Sequence, residues 1–406
     1  MIFNTFLSGE GNVKNINLSL YIAKKNKKIS FNTNLTIHSS CWDYDKERPI
    51  NIYLKKNKQI HLTIGAIKLC IIESLDTKKI ISKKKITDKI SKIINGHKLE
   101  ISEDMFLYQL KNYIQLKKEI ICNSTYKRYN VFYNLLEKFE IYSLKRLYTK
   151  HINNETIANF ISFAKEENYS ESTIYKTIHF IKTILNFVER KGIRTKVREL
   201  ELKKEKNIKN IITLTENEIQ KIEVTTVNSK LKPAKEWLLI SCYTGQRFSD
   251  FMNFDKSKIV EIKNRKYLSF RQLKTQKSIL LPLHPIVLKI IQENNGEFPK
   301  KISLTDYNQQ IKIIAKKAGI NEVLEGKKRI ENRSKSIRVN KWELISSHIG
   351  RRSFSTNFYG KIPTPLLMQA TGHGTEQMFL KYINTLDETR IISLSNYFNK
   401  LYIQKS

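Results

Sequence analysis

Ile174, Ile178, Ile181, Leu185 and Val188 recur at steps of four, three, four and three residues, which builds one apolar stripe along a helix. Such a stripe has to be covered by other apolar faces, and from about Ser102 to Lys191 the neighbouring segments carry the same helical pattern. The spacing predicts a bundle of about four helices. Ser170 and Ser172 are candidate caps for the last of them. Tyr126, Tyr129, Phe132 and Tyr133 read as ordinary core aromatics of the same unit.

Upstream the period changes from helical to two. Ile16, Leu18, Leu20 and Ile22 alternate, and the alternation resumes at Ile29 and Phe31 after Lys24, Lys25, Lys27 and Lys28. That predicts a half-buried hairpin with a lysine-rich tip, which is either solvated or laid along a phosphate backbone. Ile50 to Ile94 reads as mostly helical with lysine-rich breaks near Lys83 to Lys85, so a small α+β domain ends near residue 100. Downstream, from Lys191 to Ile212, the charged stretch that includes Lys203, Lys204, Glu205 and Lys206 has no sustained period and reads as a linker. A further domain opens at Thr215-Glu216-Asn217-Glu218, a capping box.

At 406 residues the chain exceeds what one hydrophobic core ordinarily fills. Its formal charge of +35 points to a polyanionic partner, nucleic acid first, although 58 lysines against 15 arginines are also what an AT-rich genome produces. Cys41, Cys70, Cys122 and Cys242 form no CxxC pair, which disfavours a zinc ribbon or a disulfide framework. No basic flank precedes the short apolar stretch of the first twelve residues, and no long apolar run follows. A cytoplasmic protein without a membrane segment is expected, and no internal repeat suggests a solenoid.

The chemistry-bearing residues gather in the last domain. After the apolar helix around Trp237 to Ile240 comes Tyr243-Thr244-Gly245-Gln246-Arg247-Phe248-Ser249-Asp250, an arginine just past a glycine turn in a lysine-dominated chain. A guanidinium offers a planar fork to two phosphate oxygens, which an ammonium does not. Two short strands, Tyr267 to Phe270 and Ser278 to Leu283, flank a polar turn that projects Lys274 or Lys277. In Ser346-Ser347-His348-Ile349-Gly350-Arg351-Arg352 the spacing sets His348 and Arg351 on one helix face, with Arg352 about 100° away and structural. Thr371-Gly372-His373-Gly374 forms a turn, Thr375 caps a short helix, and Tyr382 follows His373 by nine residues, so only the glycine turn brings the two together.

The order Arg247, Lys274, His348-x-x-Arg351, Gly372-His373, Tyr382 resembles the tyrosine recombinase (phage integrase) family. The preceding parts are similar to the N-terminal domains of bacterial mobile-element integrases, and the resemblance implies an arm-type DNA-binding domain over 1–100, a helical core-binding domain over 101–192, a linker over 193–212 and a catalytic domain over 213–406. The implied fold class is multidomain: a small α+β domain, an all-α bundle, and a mainly α catalytic domain with a small antiparallel sheet. Asp250 stands where the family often has Glu, Thr371 where Leu is usual and Gly374 where Ser is common, and the turn Thr275-Gln276-Lys277 lacks the frequent glycine. Which of Lys274 and Lys277 reaches the phosphate therefore stays open, with Lys274 favoured by its place before Thr275.

The resemblance implies that Tyr382 attacks the scissile phosphate of double-stranded DNA to give a 3′-phosphotyrosyl link, that Arg247 and Arg351 hold the non-bridging oxygens, that His348 and His373 bond the same oxygens or take the tyrosine proton, and that Lys274 protonates the leaving 5′ oxygen. No cofactor and no metal are implied; two-metal nuclease chemistry is disfavoured because no carboxylate cluster accompanies these residues. Expected partners are a homotetramer on two duplexes and accessory DNA-bending or directionality proteins, in a bacterial cytoplasm at the nucleoid. Ile391, Leu394, Phe398 and Leu401 predict a terminal helix that packs either on its own chain or on a neighbouring protomer. Alternatives with similar residues are a type IB topoisomerase-like relaxing enzyme and a catalytically silent DNA-binding regulator.

Overall fold

The computed structural model describes residues 2–23, 26–52, 54–76, 83–95, 102–201, 211–330 and 333–383. The chain divides into two compact units, Met1–Glu205 with Glu331–Ser334, and Lys206–Ile330 with Lys335–Ser406. The expectations placed on Lys24, Lys25, the stretch from Lys203 to Lys206 and the terminal helix from Ile391 to Leu401 lie outside the described residues.

The first unit begins with an antiparallel sheet in the order β1 (Ile2–Ser8), β2 (Val13–Ile22), β3 (Lys27–His38). The β2–β3 pair is the predicted hairpin, with Leu18 opposite Phe31 and Leu20 opposite Ile29. Its buried face carries Ile16, Leu18, Leu20 and Phe31. A register shift follows Ile16, and there the buried Thr33 hydroxyl donates to the Ile16 carbonyl at 2.5 Å. Strand β1 was not predicted: as an edge strand it buries only Thr5 completely, so its sequence carries no clear alternation.

After the two-residue ladder of β4 (Trp42–Asp43) and β5 (Arg48–Pro49), helix α1 (Lys55–Asp76) covers the sheet with Ile60, Ile64, Ile67 and Ile71. Helix α2 (Lys83–Ile94) corrects one expectation, since Lys83 to Lys85 form its first turn rather than a break. Lysine is a good helix former, and here Ile86 and Ile90 face the core while Lys84, Lys85 and Lys89 stay in solvent.

Four helices follow, α3 (Phe106–Lys117), α4 (Asn123–Ser143), α5 (Asn154–Glu166) and α6 (Glu171–Glu189), around a hydrophobic cluster of their own. The stripe from Ile174 to Val188 is buried along its whole length. Ser170 caps α6 by accepting the Thr173 N–H at 3.3 Å, whereas Ser172 lies inside the helix. Tyr129 stacks on Phe180 with ring centroids 4.4 Å apart, and Tyr126 and Tyr133 pack against the same cluster as Phe132. Val197 and Leu200, from the charged stretch after Lys191, are also buried in it. Within this unit Arg146 pairs with Glu73 at 2.7 Å and Glu140 at 3.1 Å, and Arg48 pairs with Glu167 at 2.7 Å.

In the second unit α7 (Glu216–Val224) starts on the predicted capping box: Thr215 Oγ1 accepts the Glu218 N–H and Glu218 Oε2 accepts the Thr215 N–H. Helix α8 (Lys232–Thr244) is apolar on nearly all sides and forms the centre of the core. A short α9 (Phe248–Phe251) leads to the sheet β6 (Ile259–Ile262), β7 (Arg265–Arg271), β8 (Ser278–Pro282), of which the last two strands are the predicted hairpin. Helices α10 (Pro285–Glu293) and α11 (Leu304–Lys317) pack on α8. Strands β9 (Val323–Ile330) and β10 (Arg333–Asn340) pair with each other, a feature missed because six lysines and arginines among their sixteen residues interrupt the apolar alternation.

The chain closes with α12 (Lys341–Leu344), α13 (Ile349–Phe358), α14 (Thr364–Thr371) and α15 (Glu376–Leu380). Gly350 lets α13 lie close against α8: a Cβ there would collide with Ser241 Oγ and lie 2.7 Å from the Ser241 carbonyl carbon. Among the described residues no helix is long and apolar enough to cross a membrane.

Candidate functional site

The site forms where helices of the second unit stop. Helix α8 ends on Gly245, whose φ of 66° is the left-handed C-cap conformation, and the chain turns so that Arg247 becomes the N-cap residue of α9. The Arg247 side chain is 14 % exposed; its Nη1 donates to Gln272 Oε1 at 3.1 Å and stands 3.8 Å from Asp250 Oδ2. Asp250 is buried and uses Oδ1 to accept the Leu273 N–H at 2.9 Å, which pins the start of the β7–β8 turn.

Arg351, in the first turn of α13, is completely buried. Its Nη1 donates to the Gly245 carbonyl at 3.0 Å and its Nη2 lies 3.0 Å from His373 Nε2. A guanidinium only donates, so His373 Nε2 is the acceptor and the ring proton sits on Nδ1. That proton points at Thr371 Oγ1, 2.8 Å away, whose own hydroxyl donates to the Leu367 carbonyl at 2.6 Å. Burial, then the charges of Arg351, Arg247 and Lys277, push the His373 pKa down to about 3, in keeping with a neutral ring. Burial also lowers Arg351, with Arg247 adding to the effect.

Helix α14 ends on Gly372 at φ 73°, and Thr375 caps α15 by accepting the Met378 N–H at 3.3 Å. The expectation for this turn holds: the His373 and Tyr382 ring centroids are 4.8 Å apart. The Arg351 guanidinium carbon lies 5.3 Å from the Tyr382 ring centroid. Arg352, the next residue, is half-buried, and burial lowers its pKa.

His348 is the N-cap residue of α13. Its surface is exposed, yet the protein around it removes enough water, and Arg352, Arg351, Arg247 and Lys274 add enough positive charge, to lower its pKa. The turn between β7 and β8 carries both candidate lysines in exposed positions. Lys277 Nζ donates to the His373 carbonyl at 3.4 Å, while Lys274 is near enough for His348 to feel its charge. Gln276 takes φ 56° in this turn, so a glutamine adopts the left-handed conformation that a glycine would otherwise supply.

The six predicted positions thus form one cluster of cationic and imidazole groups beside one phenol. The sequence reading missed Gln246 and Gln272, both completely buried, because a glutamine in a polar turn reads as solvated. The one signal available was the place of Gln272 two residues ahead of Lys274. Among the described residues no group of three or more His, Cys, Asp and Glu is placed to hold a metal ion.

Residues 204–389 match the model of the phage integrase family. This part of the chain is a phage integrase family domain. The fold agrees with solved structures that include the integrase domain. The Tn1549 transposon integrase in complex with a circular intermediate DNA superposes with a TM-score of 0.54 at 14 % identity, covering 74 % of this chain and 100 % of that one. The XerH site-specific recombinase bound to a palindromic difH substrate, in its post-cleavage complex, gives 0.51 at 15 % identity over 84 % of this chain and 96 % of that one. Lambda integrase bound to DNA gives 0.50 at 16 % identity over 68 % and 95 %. No curated protein matches the chain in sequence.

Proposed function

We propose that the chain is a site-specific DNA recombinase that cuts and rejoins duplex DNA through Tyr382, for integration or excision of a mobile element. The observation that carries this reading is the convergence of Arg351, His373 and Tyr382, at 3.0 Å and 4.8 Å, beside Arg247 in a domain of the phage integrase family. The Tyr382 oxygen forms a bond to the scissile phosphorus as the bond to the 5′ oxygen breaks, leaving a 3′-phosphotyrosyl link and a 5′ hydroxyl. Guanidinium donors of Arg247 and Arg351 hold the non-bridging oxygens as charge develops. The tyrosine proton passes to the imidazole of His348, since both ring nitrogens of His373 are engaged by Arg351 and Thr371 and leave that ring to orient Arg351, and Lys274 protonates the 5′ oxygen. A 5′ hydroxyl of the partner strand then reverses the step, so the bond energy is kept and no nucleotide or metal cofactor is drawn on.

Two hydrophobic clusters in the first unit and the main one in the second support an arm-type DNA-binding part over 1–100, a core-binding part over 101–192 and a catalytic part over 213–406, with the proposed linker over 193–212 lending Val197 and Leu200 to the core-binding cluster. The +35 charge suits wrapping duplex DNA in the cytoplasm. A homotetramer on two duplexes, with accessory DNA-bending or directionality proteins, completes the reading.

The test is a nicked suicide duplex from which the 5′ hydroxyl diffuses away after cleavage. The expected result is a protein–DNA adduct stable to denaturant. DNA binding without any adduct overturns the enzyme reading, and plasmid relaxation by a monomer without strand exchange replaces it with a topoisomerase.

A further inference from the structure

We propose that Gln246 and Gln272 are positioning residues of this site: a buried pair of amides that aims Arg247 without neutralising it. The inference rests on the recombinase reading above and deepens it.

Both side chains are completely buried, so every polar atom on them has to be accounted for. Gln246 Nε2 donates to two backbone carbonyls, Thr244 at 2.8 Å and Ala370 at 2.7 Å. Those carbonyls accept only, so they fix which end of the Gln246 amide is nitrogen. Gln246 Oε1 is thereby turned toward Gln272 and accepts from its Nε2 at 2.9 Å. The second Nε2 proton of Gln272 goes to the Thr371 carbonyl at 3.0 Å. Only Gln272 Oε1 is left, and it accepts from Arg247 Nη1 at 3.1 Å and from the Thr275 hydroxyl at 2.6 Å. The polarity of the chain is therefore dictated from the backbone outward, and it ends as an acceptor aimed at one guanidinium.

The pair touches three separate pieces of the site: the turn after α8, the β7–β8 turn with Lys274, and the end of α14 just before His373. Gly372 closes over it without a side chain, since a Cβ there would overlap Gln272 Oε1 and lie 2.8 Å from Gln272 Cδ. A carboxylate in the place of Gln272 would hold Arg247 as well or better, but it would compensate the positive charge that an anionic ligand needs. The neutral amide orients the guanidinium and leaves its charge available. Asp250 uses Oδ1 for the Leu273 N–H, and its Oδ2 forms an ion pair with Arg247 at 3.8 Å, too long for the hydrogen bond by which Gln272 orients the guanidinium.

The experiment measures single-turnover adduct formation on suicide duplexes whose scissile group is either a phosphate or a methylphosphonate, which carries no charge on the non-bridging atoms. Gln272→Met, of similar length but with no acceptor for Arg247, is expected to slow the phosphate reaction on the order of 100-fold, the cost of misplacing a reacting group by about 1 Å. On the methylphosphonate its rate is expected to stay within about threefold of the unaltered protein, because less charge has to be clamped there. Equal losses on both substrates, or no loss on either, overturn the proposal. Should Gln272→Met fail to fold, Gln272→Glu decides on the same two substrates, with the same expectation and the same overturning results. An unaltered protein that binds DNA and attacks neither substrate removes the recombinase reading and this proposal with it, whereas an active protein indifferent to both variants removes only the positioning role.

Discussion

Arg351 Nη2 meets His373 Nε2 at 3.0 Å, and through this contact a completely buried guanidinium and a neutral imidazole hold each other in one orientation beside Tyr382. Arg351 also donates to the Gly245 carbonyl, so its plane is fixed from two sides. A lysine cannot span both partners, because an ammonium has no fork. Arg351→Lys is therefore expected to lower the rate of adduct formation by about 100- to 1,000-fold, the cost of losing one preorganised donor. DNA affinity, measured by titration at fixed salt, should change far less.

Gly350 faces the backbone of Ser241 where α13 crosses α8, with no space for a methyl group. Gly350→Ala forces the two helices apart or bends one of them, which costs about 1–3 kcal/mol as overpacking. The same shift moves Arg351, the next residue, away from Gly245. Thermal unfolding should show a lower midpoint than the parent, and adduct formation should fall even at temperatures where the variant is folded. A variant as stable and as active as the parent would contradict the close helix crossing.

Much of this site is legible in the chain because its residues lie on features that leave periodic or turn signals. Gly245 and Gly372 mark helix ends, Thr215 and Thr375 mark helix starts, and the spacing of Ile174 to Val188 marks a buried face. The buried amides were not legible, since burial of Gln246 and Gln272 depends on α14 and the β7–β8 turn closing over them, which no local pattern records. Strand β1 and the β9–β10 pair were missed for a related reason: neither buries one face deeply enough to impose alternation. Lysine runs misled at α2, where charge on the solvent face resembled a break.

His61 in α1 and His373 in α14's trailing turn both have pKa values pushed down to about 3, His61 by burial and then by Arg48, Lys138 and Lys68. Each is neutral in the folded chain, while in the unfolded chain it takes up a proton near pH 6.5. Between about pH 6.5 and 3 the unfolded state binds more protons, so stability is greatest above that window and falls as the pH is lowered through it. The slope is at most about 1.4 kcal/mol per pH unit for each such histidine. Denaturant midpoints measured from pH 7 to 4.5 should fall, and His61→Gln should flatten the decline. An identical pH profile for the variant would mean that His61 is not held neutral by its surroundings.

Lys274 and Lys277 share one turn but differ in what already engages them. Lys277 donates to the His373 carbonyl at 3.4 Å, so its ammonium has a structural use, whereas the charge of Lys274 helps to lower the His348 pKa. Lys274 is accordingly the expected donor to the leaving 5′ oxygen. A duplex with sulfur in place of that oxygen has a leaving group that departs without a proton, which separates acid catalysis from phosphate binding. Lys274→Ala should slow adduct formation on the oxygen substrate by about 100- to 10,000-fold and recover most of that loss on the sulfur substrate. Lys277→Ala should show no such recovery, because any effect it has passes through the turn that carries His373. Recovery by Lys277→Ala alone would exchange the roles of the two lysines.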